Sequence, residues 1–250
     1  MAENLRDSAV QCLTHLKNRG VRTVCVKDGK AKTKDDATKD VAAKKQIFID
    51  GLDLAVESKQ CSNLDEIKTD IGDCKRCELH KLRKNIVFGE GNIKTQLMFV
   101  GEGPGQDEDE SGRPFVGRAG QLLNKIIEAM GLKREEVYIA NIVKCRPPGN
   151  RAPLDPEIIK CAPFLMSQIS VIRPKVIVTL GSPATCTLFN EKIKISAIRG
   201  NFYDWKYDIK LMPTFHPAYL LRNPKDKGLV WDDMKKVMSY LGLTSKHTGE

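Results

Sequence analysis

The sequence predicts an α/β protein: a three-layer α/β/α sandwich around a short, mostly parallel sheet, with a small N-terminal extension. Two observations carry that expectation. Short apolar runs at 96–100, 137–140, 176–180 and 209–214 read as strands, and amphipathic stretches of helical period lie between them. Strand-helix alternation of this kind buries a parallel sheet between helices on both faces. Length is a third constraint, because 250 residues suffice for one full core and an appendage.

The elements follow in chain order. Leu5, Ala9, Leu13 and Leu16 share a helical face, and 21–26 reads as a short strand. From about 28 to 45 the chain is charged and short of aromatic and branched apolar residues, so it reads as a flexible linker. The stretch 47–54 is apolar enough for one more structured piece. Asn63 starts a helix, since Glu66 three positions on completes a capping-box pair while Ile67 and Ile71 share a face. Leu123, Ile126, Ile127 and Met130 make one helical stripe, and Ile158, Ala162, Leu165, Met166 and Ile169 make another. Asp155-Pro156 and Ser182-Pro183 are helix starts, a capping side chain followed by proline. Val230, Met234, Val237, Met238 and Leu241 form a last helix, and no internal repeat is present. The expected division is an extension over 1–62 and a main domain over 63–250.

Composition narrows the function. With 41 basic and 32 acidic residues the net charge is +9, which favours polyanionic partners because each phosphate contact releases condensed counterions. The N-terminus has no apolar core of the kind a secretion signal needs, and no run approaches membrane-spanning length. A cytoplasmic protein without membrane contact is expected. In such a reducing compartment a spaced subset of the 8 cysteines binds metal more readily than it forms disulfides. Cys74-Lys75-Arg76-Cys77 is a close pair, with Cys145 and Cys161 as later singletons. That spacing fits a zinc ribbon poorly, leaving an iron-sulfur cluster, another zinc site or unrelated thiols open.

Two polar clusters follow strand-like runs. Gly101-Glu102-Gly103-Pro104-Gly105-Gln106-Asp107-Glu108-Asp109 comes after 96–100, and His216-Pro217-Ala218-Tyr219-Leu220-Leu221-Arg222 comes after 209–214. Both belong at strand carboxyl ends, where open α/β sheets bind ligands. As a dinucleotide loop the first is weak, because Pro104 removes an amide and the third glycine is missing. A plain turn is the simplest alternative, yet Gln106-Asp107-Glu108-Asp109 crowds carboxylates that repel unless a cation, water or developing positive charge sits nearby. Asn141 ends another strand-like run and should face the same crevice, where an amide can both donate and accept.

These clusters resemble the two signature motifs of the family 4 uracil-DNA glycosylases, the iron-sulfur branch of that superfamily. Asn141-Ile142-Val143-Lys144-Cys145-Arg146-Pro147-Pro148-Gly149-Asn150-Arg151 resembles the middle motif of the family, and the similarity runs from about Asn63 to about Leu243. The resemblance implies a monofunctional DNA repair enzyme of base excision repair, a hydrolase that flips uracil out of single- or double-stranded DNA and hydrolyses its N-glycosidic bond. It implies a 4Fe-4S cluster on Cys74, Cys77, Cys145 and Cys161, structural rather than redox-active, and no organic cofactor. Glu108 then stabilises the positive sugar and positions water, while His216 holds the uracil oxygen as it gains charge. Glu102 is the alternative carboxylate, since other branches of the superfamily carry an acidic residue at the position that Gly103 matches.

Within that reading Glu102, Gly103, Phe115 and Asn141 bind the base. Asn141 pairs with uracil and rejects cytosine, whose edge is reversed there. Phe115, in a loop too polar to be core, stacks on it. Tyr219, Leu220, Leu221 and Arg222 form a loop that enters the duplex, either leucine serving as wedge while Arg222 holds phosphate. Lys144, Arg146 and Arg151 are further phosphate contacts. A monomer is expected, with the extension as the attachment point for a replication or repair protein. Two rivals remain: a protein that binds or covalently traps uracil-DNA without turnover, and a non-catalytic iron-sulfur or zinc module of the replication machinery. A trapping relative uses a histidine on an inserted basic loop, and 144–151 has neither histidine nor insertion.

Overall fold

The computed structural model describes Ile49, Leu52 and residues 61–244 of the chain, all within the second of its two compact units, Lys44–Glu250. The helix expected on Leu5 to Leu16, the strand over 21–26 and the linker lie outside the described residues. In order, the elements are α1 (Leu64–Ile71), β1 (Glu90–Gly91), β2 (Leu97–Gly101), α2 (Gln106–Ser111), α3 (Arg118–Ala129), β3 (Tyr138–Asn141), α4 (Asp155–Ile172), β4 (Val176–Leu180), α5 (Ser182–Phe189), α6 (Ile195–Ile198), β5 (Tyr203–Asp204), β6 (Lys210–Thr214), α7 (Pro217–Arg222) and α8 (Lys227–Leu241). Among the described residues no helix is long and apolar enough to cross a membrane.

The sheet runs β1-β3-β2-β4-β6-β5. Its four inner strands are parallel, and the two-residue edges β1 and β5 are antiparallel. Each of β2 and β4 is buried along its whole length, which is why both read as unbroken apolar runs. Alternate residues serve opposite faces. Met98, Val100, Ile177 and Leu211 join α1 and α4 in one apolar cluster, while Leu97, Phe99, Val178 and Met212 join α3 and α8 in the other. Ile49 and Leu52, from the apolar stretch expected at 47–54, seal the first cluster. Asn190 ties them there, its Oδ1 accepting from the Ile49 amide at 3.0 Å and its Nδ2 donating to the Leu52 carbonyl at 3.3 Å.

Local signals set most helix ends. Asn63 caps α1 by accepting from the Glu66 amide at 2.9 Å. Asp155 and Ser182 are first helical residues rather than caps, and for α4 the capping role passes to Glu157, whose Oε2 accepts from the Leu154 amide at 2.7 Å. The short helices α2 and α7 replace what reads as loop in the sequence. α2 has no apolar stripe, so it depends on its carboxylates near the positive helix end and on Glu108 reaching back to the Gly105 amide. α7 begins on Pro217, which suits the first helical position.

Candidate active site

The chain runs from β2 to its neighbour β3 on one side and then to β4 on the other, so the carboxyl end of β2 lies at a topological switch point. Gly101 pairs with Asn141 across β2 and β3 at that end. There a cleft of roughly 620 Å³ brings together Glu102, Gly103, Glu108, Phe115, Asn141, His216 and Arg222. These residues are dispersed over 102–222, and three strand ends assemble them.

Asn141 forms the buried floor, 1% exposed, and its Oδ1 has no partner among the described residues. A buried acceptor left unpaired costs about 1–3 kcal/mol, so a ligand N–H placed there would recover that energy. Gly101 makes the arrangement possible, because a Cβ at that position would stand 2.5 Å from both Asn141 Oδ1 and the Phe115 ring. Gly103 is closed in similarly, with a Cβ meeting Val143 at 2.7 Å. Phe115 departs from the sequence expectation: its loop is polar, but the ring is 6% exposed and packs with Leu123 and Ile127 in the second cluster. One side of the ring still lines the cleft, 5.7 Å from the His216 ring. Nothing local in Gly112-Arg113-Pro114-Phe115-Val116-Gly117 signals that burial, since the pocket receiving the ring comes from α3 and α7.

His216 is the N-cap of α7, and its Nδ1 accepts from the Ala218 amide at 3.0 Å. Burial first, and then the Arg222 charge, push the imidazole pKa down to about 4, the nearby Glu108 carboxylate offsetting only part. The ring is therefore neutral at pH 7. With Nδ1 used as acceptor the proton resides on Nε2, leaving one donor.

The two acidic candidates differ in their engagements. Glu108 accepts from the Gly105 amide at 3.1 Å through Oε2, and from the Val116 and Gly117 amides at 2.9 Å each through Oε1. Three of its roughly four acceptor positions are thus occupied by backbone. No hydrogen bond or ion pair engages the Glu102 side chain among the described residues, and burial raises its pKa above the ordinary glutamate value.

The presumed duplex-entering segment needs correction. It is helix α7, and its phase puts Leu220 at 1% exposure among Leu123, Val230 and Met234, out of reach of DNA. Leu221 is 37% exposed, and Arg222 lines the cleft. Lys144 is likewise no phosphate contact. It is completely buried, donating to the Asn141 carbonyl at 2.9 Å and to Gln168 Oε1 at 2.7 Å, and burial pushes its pKa down to about 8. Sequence reasoning missed this support beneath Asn141, because a lysine between apolar residues gives no local sign of an internal partner. Arg151 pairs with Glu157, and Arg146 with Asn150.

The four cysteines come from three places: Cys74 and Cys77 after α1, Cys145 after β3 and Cys161 inside α4. Burial raises the Cys161 thiol to about 12 and the Cys145 thiol to about 11, with Cys77 adding to both rises. Arg83 stands at the group, donating to the Cys74 carbonyl at 2.6 Å and to Cys145 Sγ at 3.6 Å. The Lys144 amide donates to Cys161 Sγ at 3.2 Å. Among the described residues no three His, Cys, Asp or Glu side chains are spaced to share one metal ion. Charge on Cys74 contributes to raising the Cys77 and Cys145 thiols, and charge on Cys77 and Cys145 to raising Cys161, so the four side chains share a single neighbourhood.

The sequence pattern of the Uracil DNA glycosylase superfamily matches residues 88–235. The Type-4 uracil-DNA glycosylase of Thermotoga maritima is 49% identical over 171 residues, covering 67% of this chain and 89% of that protein. The Type-4 uracil-DNA glycosylase of Saccharolobus solfataricus is 49% identical over 187 residues, covering 72% of this chain and 87% of that protein. That of Sulfurisphaera tokodaii is 46% identical over 192 residues, covering 74% and 87% respectively.

Proposed function

The chain belongs to the uracil DNA glycosylase superfamily, and from that premise we infer that it is a uracil-DNA glycosylase, a DNA repair enzyme that hydrolyses the bond between uracil and deoxyribose. The observation that carries the reading at residue level is the unpaired Asn141 Oδ1 on a cleft floor flanked by Phe115 and His216. Uracil offers an N3–H to that oxygen and its O4 to the Asn141 amide protons, whereas cytosine presents an acceptor and a donor in the opposite order. An extruded base stacks on Phe115, while Leu221 fills the space left in the duplex and Arg222 holds phosphate.

In the chemical step the N1–C1′ bond breaks with its electron pair leaving on uracil, whose O2 gains charge. The neutral His216 donates Nε2–H to that oxygen, an interaction stronger in the transition state than in the bound substrate. Water adds to C1′ and yields its proton to Glu102, which its raised pKa makes the better base. Glu108 ties the Val116 and Gly117 amides to that of Gly105 through its three contacts, and its charge faces the developing positive sugar.

A 4Fe-4S cluster on Cys74, Cys77, Cys145 and Cys161 completes the proposal. The donor set fits: thiolates are the ligands that such clusters take. Bound there, the group would supply a covalent tie among the segments after α1 and β3 and helix α4. We also propose a monomer acting in the cytoplasm, in which the part of 1–62 before Lys44 is an appendage serving another replication or repair protein, since Ile49 and Leu52 belong to the main core. The function is tested by incubating a uracil-containing oligonucleotide with the protein and cleaving in alkali. Scission at uracil without a stable protein-DNA adduct is expected. An intact strand, or a covalent adduct, would refute turnover.

A further inference from the structure

Phe115 is in a left-handed backbone conformation, with φ 51°, which a residue bearing a Cβ holds only where its surroundings fix it. On the amide side Glu108 accounts for this by accepting from Val116 and Gly117. The carbonyl side has a separate clamp. Arg134 donates through Nη1 to the Phe115 carbonyl at 3.0 Å and through Nη2 to the Pro114 carbonyl. The same guanidinium is oriented by Asn124 Oδ1 at 2.6 Å and by Glu90 Oε1, which accepts from Nε at 2.8 Å. Glu90 also receives Arg113 Nε at 2.8 Å, so one carboxylate engages both the start of the turn and the arginine that clamps its carbonyls. Burial raises its pKa, but the hydrogen bonds from Arg113 and Arg134 outweigh this and keep it below the ordinary glutamate value.

These contacts converge on the backbone of one cleft residue. Arg134 comes from the turn before β3 and Glu90 from edge strand β1, yet their polar atoms reach the Pro114-Phe115 carbonyls. The planar fork of arginine reaches two carbonyls, a further acceptor and a carboxylate at once, which a lysine cannot do. Gly120 closes the remaining side, since a Cβ there would lie 1.9 Å from the Phe115 carbonyl oxygen.

We propose that Arg134, oriented by Glu90, is a positioning residue for the base platform: it fixes the Phe115 ring where an extruded base stacks, and affects bond cleavage without touching DNA. The proposal rests on reading the cleft as a uracil site.

The test compares single-turnover excision rates of Arg134→Met, Arg134→Lys and Glu90→Gln, each in the wild-type and the Phe115→Ala background, alongside melting temperatures and affinity for uracil-DNA. Misplacing a platform by about 1 Å can cost up to roughly 100-fold. Arg134→Met should lower the rate roughly 10-fold with little change in affinity, and Arg134→Lys should restore part of it. In the Phe115→Ala background each change should cost less than about 2-fold, because residues acting through one another are non-additive. If Arg134→Met does not fold, Arg134→Lys and Glu90→Gln are read in the same two backgrounds. Equal losses in both backgrounds, or wild-type rates in all three variants, would overturn the proposal. Absence of excision by the wild-type protein would instead overturn the functional reading.

Discussion

Removing the imidazole of His216 tests the charge state on which the proposed chemistry depends. With its pKa pushed down to about 4, protonating the ring at pH 7 would cost on the order of 4 kcal/mol, at about 1.36 kcal/mol per pH unit. The group proposed to meet uracil O2 is therefore a neutral donor, its proton kept on Nε2 by the Ala218 amide at Nδ1. Losing one such donor typically costs about 3–4 kcal/mol, or two to three orders of magnitude in rate. His216→Ala should therefore bind uracil-DNA nearly normally while its single-turnover rate collapses. Lowering the pH is a second perturbation of the same atom. Near pH 5 the neutral ring still outnumbers the charged one about ten to one, so no limb from His216 should appear between pH 7 and pH 5. Single-turnover rates of wild type and His216→Ala across this range decide the matter. A wild-type limb near pH 6.5 that His216→Ala abolishes would refute a neutral donor, and weakened binding at unchanged rate would make His216 a docking residue. Stability follows with its own sign. The folded pKa lies below the ordinary histidine value, so the unfolded chain binds the proton first, and this contribution, complete above about pH 6.5, is lost as pH falls toward 4.

Leu221→Ala should leave the melting temperature unchanged and weaken excision from duplex DNA more than from single strands, where no stack must be filled. Leu220→Ala should instead destabilise the fold by about 2–5 kcal/mol, the usual range for a buried leucine, measured by denaturant unfolding. Asn141→Ala should lose most uracil excision, and Asn141→Asp should narrow the preference for uracil over cytosine; full activity and selectivity in Asn141→Ala would remove it as the reader. Anaerobically purified protein should contain iron and absorb broadly in the visible, and Cys161→Ala should lose both iron and stability because such binding is coupled to folding. Zinc without iron would exclude the cluster.

The inner strands were legible because helices cover both faces of β2 and β4, leaving unbroken apolar runs. The Asn63 cap was legible because its partner Glu66 lies three residues on, and the stripe Leu123, Ile127 and Met130 because its spacing follows the helical period. The crevice could be anticipated too, since Glu102, Asn141 and His216 each follow a strand-like run. The edge strands β1 and β5 have two residues each, too few to display a period. Leu220 and Leu221 are chemically identical neighbours, and only the phase of α7 against α3 and α8 separates core from surface. Phe115 in a polar loop and Lys144 among apolar residues invite the wrong placement, because the ring's pocket and the lysine's acceptor Gln168 come from distant segments. The same holds for Glu108 and Glu102: one meets three amides and the other none. Local patterning thus determined the strands, the longer helices and the residues at the strand ends. Packing decided which side chains remain free to act, since burial and hydrogen-bond partnership depend on segments that sequence neighbours do not encode.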